Sequence, residues 1–236
     1  FRSREVPVKD GCDVVLTIDS VVQHIIEDEL KTIAAKFDPH FATIIVSEPR
    51  TGRILGMANY PSFDLNNYSK APLEAQKNYA VTDIIEPGST FKIVAAGAAL
   101  DQDLVSPATS FDCGITTINY RGKDLKLPKE DHPFGMLTVA EIVSHSSNRG
   151  AAQLAMRMGE QNFYEYAKRY GFGASTNLQL GGEVRGILYP PAQWDGLTIT
   201  RMPMGHAVAA TPLQIHMAMS AVANGGALLR PQIIRD

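Results

Sequence analysis

Glu86-Pro87-Gly88-Ser89-Thr90-Phe91-Lys92, followed by Ile93-Val94-Ala95-Ala96-Gly97-Ala98-Ala99-Leu100, most limits what this chain can become. Pro87-Gly88 signals a turn, and the apolar run after it has the length and composition of a helix. Ser89 then falls at or beside a helix N-terminus, where unpaired backbone N–H groups and the helix dipole favour a developing negative charge. Lys92 comes three residues later and shares a helix face with Ser89. A lysine in an otherwise apolar helix loses hydration, so its pKa falls and the neutral amine becomes available. That amine can accept the proton of a neighbouring serine hydroxyl. The plainer reading is an N-cap serine and a lysine that snorkels to water. About one Ser-x-x-Lys is expected by chance in a chain of this size. The apolar setting, more than the spacing, singles this one out.

The composition allows one large domain or two subdomains sharing a core: 236 residues, 44% hydrophobic and 20% charged. A net charge of −3 gives no electrostatic case for nucleic acid or an anionic membrane surface. Cys12 and Cys113 form neither a disulfide framework nor a zinc spacing. His24, His40, His132, His145, His206 and His216 contain no His-x-x-x-His pair, so neither a metal nor another cofactor is expected. No apolar run approaches a bilayer span, and a targeting or anchoring segment is expected upstream of Phe1.

Along the chain, Val14 to Ile18 reads as a short β-type run. Asp19 or Ser20 should cap a helix over Val21 to Phe37, stopped by Asp38-Pro39. Phe41 to Val46 and Ile54 to Ala58 read as hairpin partners around Pro49-Arg50-Thr51-Gly52. Residues 71–82 suggest a helix, and 106–133 show turns and short strands with weak periodicity. Thr138 should cap a helix from Val139, with two more over Asn148 to Met158 and Gln161 to Tyr170, stopped by Gly159 and Gly171. Residues 173–191 read as loop, Thr211-Pro212 as the start of a helix to Ala223, and Leu228 as the start of another strand. The implied architecture is mixed α and β. An antiparallel sheet from the early hairpin and strands near the C-terminus carries the first and last long helices. A mostly helical lobe over 106–191 closes the other side of a cleft.

A serine–lysine pair that forms an acyl intermediate also needs a proton for the leaving amine and donors for the acyl oxygen. Ser146-Ser147-Asn148 lies at the break between two helices, where side chains can point into a cleft. Ser146 could relay a proton, and the Asn148 amide could hold both Lys92 and a substrate backbone. The plainer reading is a pair of helix caps. A second Ser-x-Asn, Ser175-Thr176-Asn177, sits in a glycine-rich loop, and spacing does not separate the two.

Pro87-Gly88-Ser89-Thr90-Phe91-Lys92 together with Ser146-Ser147-Asn148 resembles the penicillin-binding proteins, the D,D-transpeptidases of peptidoglycan, whose signature is Ser-x-x-Lys, Ser-x-Asn and Lys-Thr-Gly. Leu16-Thr17-Ile18-Asp19 with Gln23, Met57 to Asp64, Gly181-Gly182-Glu183 with Gly186, Thr211 to Gln214 and Asn224-Gly225-Gly226 look like further stretches of that domain in the family's order. The resemblance covers nearly the whole of residues 1–236 and is closest to the monofunctional class B members. It implies a mixed α/β (α+β) fold of the β-lactamase/transpeptidase type.

By resemblance, Ser89 would attack the penultimate D-Ala carbonyl of a stem peptide and expel the terminal D-Ala. Lys92 would accept the proton, Ser146 and Asn148 would relay it and hold substrate, and the Ser89 N–H would be one oxyanion donor. Peptidoglycan stem peptides and β-lactams are the implied partners, with cell-wall synthesis proteins as further ones. The implied location is the outer face of the cytoplasmic membrane. One part of the signature is missing, since no Lys-Thr-Gly or Lys-Ser-Gly occurs. Arg50-Thr51-Gly52 only imitates it in an early turn, and the family's order would place the strand after Asp236. Other readings of the same residues are a β-lactamase or β-lactam sensor, which needs a deacylating base that is not evident, and a non-catalytic module.

Overall fold

Asp19 opens the first regular element. In the computed structural model, which describes residues 8–235, its carboxylate accepts from the backbone N–H groups of Val21 (2.9 Å) and Val22 (3.1 Å). Two of the donors that every helix start leaves unpaired are thereby satisfied. Helix α1 spans Ser20–Phe37, and Asp38 ends it in the left-handed region at φ 45°. Strands β1 (Ala42–Glu48) and β2 (Arg53–Tyr60) follow as an antiparallel hairpin.

A bulge between Val46 and Ser47 resets this hairpin, so that Val46 faces Gly56 while Ser47 faces Ile54. One extra residue on β2 moves Ile54 to the opposite side from Gly56 and Ala58. Both faces of the two-stranded unit are thus used. Ile44, Val46, Ala58 and Tyr60 pack with Ile26 and Leu30 of α1. Ile45, Ile54 and Met57 join a second cluster with Val81, Leu213, Met217 and Ile233.

Residues 71–82, expected as one helix, break into a 3-10 turn at Leu73–Gln76 and the short helix α2, Tyr79–Thr82. Tyr79, Ala80 and Val81 are all buried, so packing on three consecutive residues overrides a helical period. A 3-10 turn at Gly88–Phe91 runs straight into helix α3, Lys92–Asp101.

The lobe expected over 106–191 begins, as its turn and short-strand signals suggest, with four short strands: β3 (Ser110–Asp112), β4 (Thr117–Tyr120), β5 (Lys123–Lys126) and β6 (Met136–Thr138). β3 pairs with β6, and β4 with β5, all antiparallel. Arg121 and Gly122 join β4 to β5 with φ of 52° and 79°, the left-handed pair that a two-residue hairpin needs. Helices α4 (Val139–Ser144), α5 (Asn148–Met158) and α6 (Glu160–Arg169) supply the helical part. After a long irregular passage come α7 (Thr198–Arg201) and α8 (Pro212–Ala223). Thr138 with Glu141, and Thr211 with Gln214, form reciprocal capping boxes at the starts of α4 and α8.

The largest core lies between α3, α5 and α6. Alanines dominate its helix contacts (Ala95, Ala98, Ala99, Ala152 and Ala155), which brings the backbones close. Phe91 caps it, stacked edge-on against Phe163 (6.1 Å) and Phe172 (4.7 Å). The strand expected from Leu228 is not a continuous ladder. Residues 232–234 reach the hairpin and Leu16 only through isolated bridges, with Ile54 N–H donating to Gln232 O (2.8 Å) and Thr17 N–H to Ile233 O (2.9 Å).

Ser47, on the α8 side of the bulge, shares a 2.6 Å hydrogen bond with His216 Nε2. Burial holds the His216 imidazole below the ordinary histidine pKa of 6.5. An unfolded chain therefore binds this proton at higher pH than the folded one, and stability falls as pH drops below about 6.5. His216→Gln is expected to flatten the fall of the thermal midpoint between about pH 7 and 5, where histidine titrates. Equal slopes for the two proteins in a pH series of melting curves would refute this.

Candidate active site

Lys92 occupies the first turn of α3 and is 5% exposed, while Ser89, in the 3-10 turn just before it, is open to solvent. Removal from water pushes the Lys92 ammonium below the ordinary lysine pKa, and the nearby negative charges of Glu130 and Asp131 pull it back up. Among the described residues, both hydrogen bonds of that ammonium go to Ser146: one to its carbonyl oxygen, one to its hydroxyl at 2.8 Å. None links Lys92 directly to Ser89.

Ser146 can turn both groups inward because of its backbone. It sits between α4 and α5 at φ 56°, a left-handed conformation uncommon for a residue with a Cβ. Ser147 is the N-cap of α5, its hydroxyl accepting from Gly150 N–H at 3.0 Å. The cap reading of this break is therefore true of Ser147, whereas Ser146 faces the lysine. Asn148 is brought to the same corner but not to Lys92: its side chain donates to Lys129 O at 2.8 Å.

Glu130 had no signal in the sequence, being one acid in a stretch of weak periodicity. Its carboxylate accepts from Ser147 Oγ (2.6 Å), Asn148 N–H (2.9 Å) and Arg149 N–H (2.8 Å) at the positive end of α5. Arg149 clamps the same loop from the other side, donating to the carbonyls of Pro128 (3.0 Å), Cys113 (3.2 Å) and Gly114 (3.0 Å). Ser175-Thr176-Asn177 has a different place. All three residues donate to the carboxylate of Glu183, so this segment is a loop folded around an acid.

The serine turn is braced from above. Gly205, at φ 84°, lies so close to Gly88 that a Cβ there would meet the Gly88 carbonyl oxygen at 2.1 Å and its nitrogen at 2.3 Å. Glu86, just before the turn, meets His206 Nδ1 at 2.7 Å and accepts from Ala207 N–H at 3.4 Å. Contact with His206 holds the Glu86 carboxyl below its usual range; burial opposes it, and the Ala207 amide adds the smallest lowering. Gly205 could have been suspected from Met204-Gly205-His206 as a turn, but not its partner.

The arrangement offers an exposed hydroxyl, a dehydrated amine behind it and a second hydroxyl bonded to that amine. These are the parts for activating an oxygen nucleophile and passing its proton on.

Comparison with known proteins bears on the family of the chain. The family model described as the penicillin binding protein transpeptidase domain matches residues 42–236. Stage V sporulation protein D of Bacillus subtilis is 36% identical over 233 residues, covering 98% of this chain and 36% of that protein. The probable peptidoglycan D,D-transpeptidase FtsI of Caulobacter vibrioides is 34% identical over 232 residues, covering 96% of this chain and 37% of that protein. The chain thus spans little more than a third of the length of these relatives. Penicillin binding protein 3 of Mycobacterium tuberculosis, solved in complex with aztreonam, superposes with a TM-score of 0.84 at 30% identity, covering 94% of this chain and 49% of that one.

Replacing Gly205 by Ala should force the two backbones apart and strain a left-handed residue, costing about 1–3 kcal/mol. Gly181→Ala, which meets nothing within 4 Å, serves as the control and should stay within about 0.5 kcal/mol. Urea denaturation decides it, and equal midpoints would show that the Gly88 contact is slack.

Proposed function

The chain belongs to the penicillin-binding protein transpeptidase family, and we propose that it forms the acylating part of a serine D,D-transpeptidase that cross-links peptidoglycan stem peptides. The observation that carries this is the buried Lys92 ammonium, bonded to Ser146 one helical turn from the exposed Ser89. In this reading Ser89 Oγ attacks the penultimate D-Ala carbonyl of a stem peptide. Its proton passes to Lys92, and through Ser146 to the departing terminal D-Ala. The amine of a neighbouring stem then attacks the ester left on Ser89, forming the cross-link amide as the acyl–Oγ bond breaks and the amine's proton returns to Ser89 Oγ through Lys92. The Ser89 N–H, at the start of the 3-10 turn that leads into α3, would be one donor to the acyl oxygen as it gains charge. Asn148, anchored by its own side chain to Lys129 O, offers an amide to the substrate backbone.

β-Lactams would acylate the same serine, as the aztreonam complex of the structural relative suggests. Glu183 is fully engaged with Ser175, Thr176 and Asn177, so it is not free to activate a deacylating water, which disfavours the β-lactamase reading. Peptidoglycan as substrate places the protein on the outer face of the cytoplasmic membrane, alongside other cell-wall synthesis proteins. No helix among the described residues is long and apolar enough to cross a membrane. The 236 residues contain no Lys-Thr-Gly, and the donor for the substrate's terminal carboxylate is assigned to no residue here.

Incubation of the intact protein with penicillin, followed by mass spectrometry, should find a stable adduct on Ser89 and none in Ser89→Ala. An adduct that survives in Ser89→Ala removes the assigned nucleophile. Lys92→Met should slow acylation by about 10²–10⁴-fold. Because burial lowers the Lys92 pKa, the neutral amine is reached early. The acylation rate should therefore climb with pH and level off below the ordinary lysine value of 10.5.

A further inference from the structure

Glu130 belongs to neither short motif, yet the corner at 146–148 is built around it. Three donors converge on its carboxylate from the Ser147 hydroxyl and the first two N–H groups of α5. On either side, Asn148 ties to Lys129 O and the Arg149 guanidinium to the carbonyls of Pro128, Cys113 and Gly114. The loop at 128–130 and the start of α5 are thus one stapled unit, and Ser146 hangs directly from it.

We propose that Glu130 is a positioning residue for acyl transfer: it fixes the Ser146–Asn148 corner against Lys92. The proposal rests on the reading of Ser89 and Lys92 given above. The groups that face Lys92 are Glu130 and Asp131 from the loop and Ser146 from the corner. Glu130 is met in turn by the Ser147 hydroxyl and by the N–H groups of Asn148 and Arg149 from α5, and its charge is felt by Lys92 from α3 and by the Cys113 thiol. A carboxylate coupled to both helices sets two things at once, the place of the proton relay and the pH at which the amine becomes free.

The test uses the intact protein carrying ¹³C-labelled lysine, with the Lys92 signal identified by its absence in Lys92→Arg. Glu130→Gln keeps an acceptor oxygen but removes the charge. Its Lys92 should titrate at lower pH than in the wild type, and the pH at which penicillin acylation levels off should move down with it. The plateau rate should fall roughly ten- to a hundredfold, since a relay displaced by a fraction of an ångström loses alignment. Glu130→Asp keeps the charge and shortens the reach, so Lys92 should titrate close to its wild-type pH while the plateau still falls.

An unmoved Lys92 titration in Glu130→Gln overturns the proposal, as does an unchanged plateau in both variants. Should Glu130→Gln fail to fold, Glu130→Asp decides by its plateau alone: a fall supports the assignment and no change overturns it. Absence of any Ser89 adduct in the wild type would instead strike at the transpeptidase reading. Glu130 would then still be judged by the titration of Lys92.

Discussion

A positive charge stripped of water is the constraint on which this half of the molecule depends. Lys92 sits 5% exposed among alanines and valines, where an unpartnered ammonium would cost several kcal/mol. Two oxygens of a single residue, Ser146, meet that demand. To deliver both, Ser146 must leave the ordinary backbone regions, and a break between α4 and α5 must be held open for it. Glu130 and Arg149 hold the break by tying the start of α5 to a loop that the sequence leaves featureless. The same dehydration that makes the charge expensive makes the neutral amine accessible, so the structural burden and the reactivity have one origin.

The other end of the pair is built for stiffness rather than burial. Ser89 is exposed, but the turn that carries it is pinned below by Phe91 in the aromatic cluster and above by the backbone contact of Gly88 with Gly205. On the proposed reading, a hydroxyl that has to meet its substrate in one orientation would gain from being presented on a turn with little room to move. The Glu86–His206 pair closes the flank beside it, although both side chains are too exposed for their charge alone to contribute much stability.

What the sequence discloses divides along physical lines. Local chemistry was readable: Asp19, Thr138 and Thr211 as caps, the hairpin around Gly52, and a lysine in an apolar helix all rest on neighbours within a few residues. Ser89, Lys92 and Ser146 were legible as candidates for the same reason, and the fold places 146 against 92. What escaped depends on contacts distant in the chain. Glu130 reaches Ser147 and Gly205 reaches Gly88 across gaps that no periodicity records. The short strands at 110–138 were legible only as turns and short strands without bounds or pairing, because each is only three or four residues long. The expected hold of Asn148 on Lys92 was wrong in its partner, since a carbonyl from the loop took the amide first. The bulge at Val46 was invisible too, because a one-residue reset leaves both strands looking equally apolar.

The left-handed backbone of Ser146 has an evolutionary corollary. Glycine would relax the conformation but discard the hydroxyl bonded to Lys92, whereas threonine would keep a hydroxyl and worsen the backbone clash. Asparagine tolerates the geometry yet presents a planar amide where a small rotor is needed. Each of these three replacements trades one defect for another, so the geometry of this position leaves serine few substitutes.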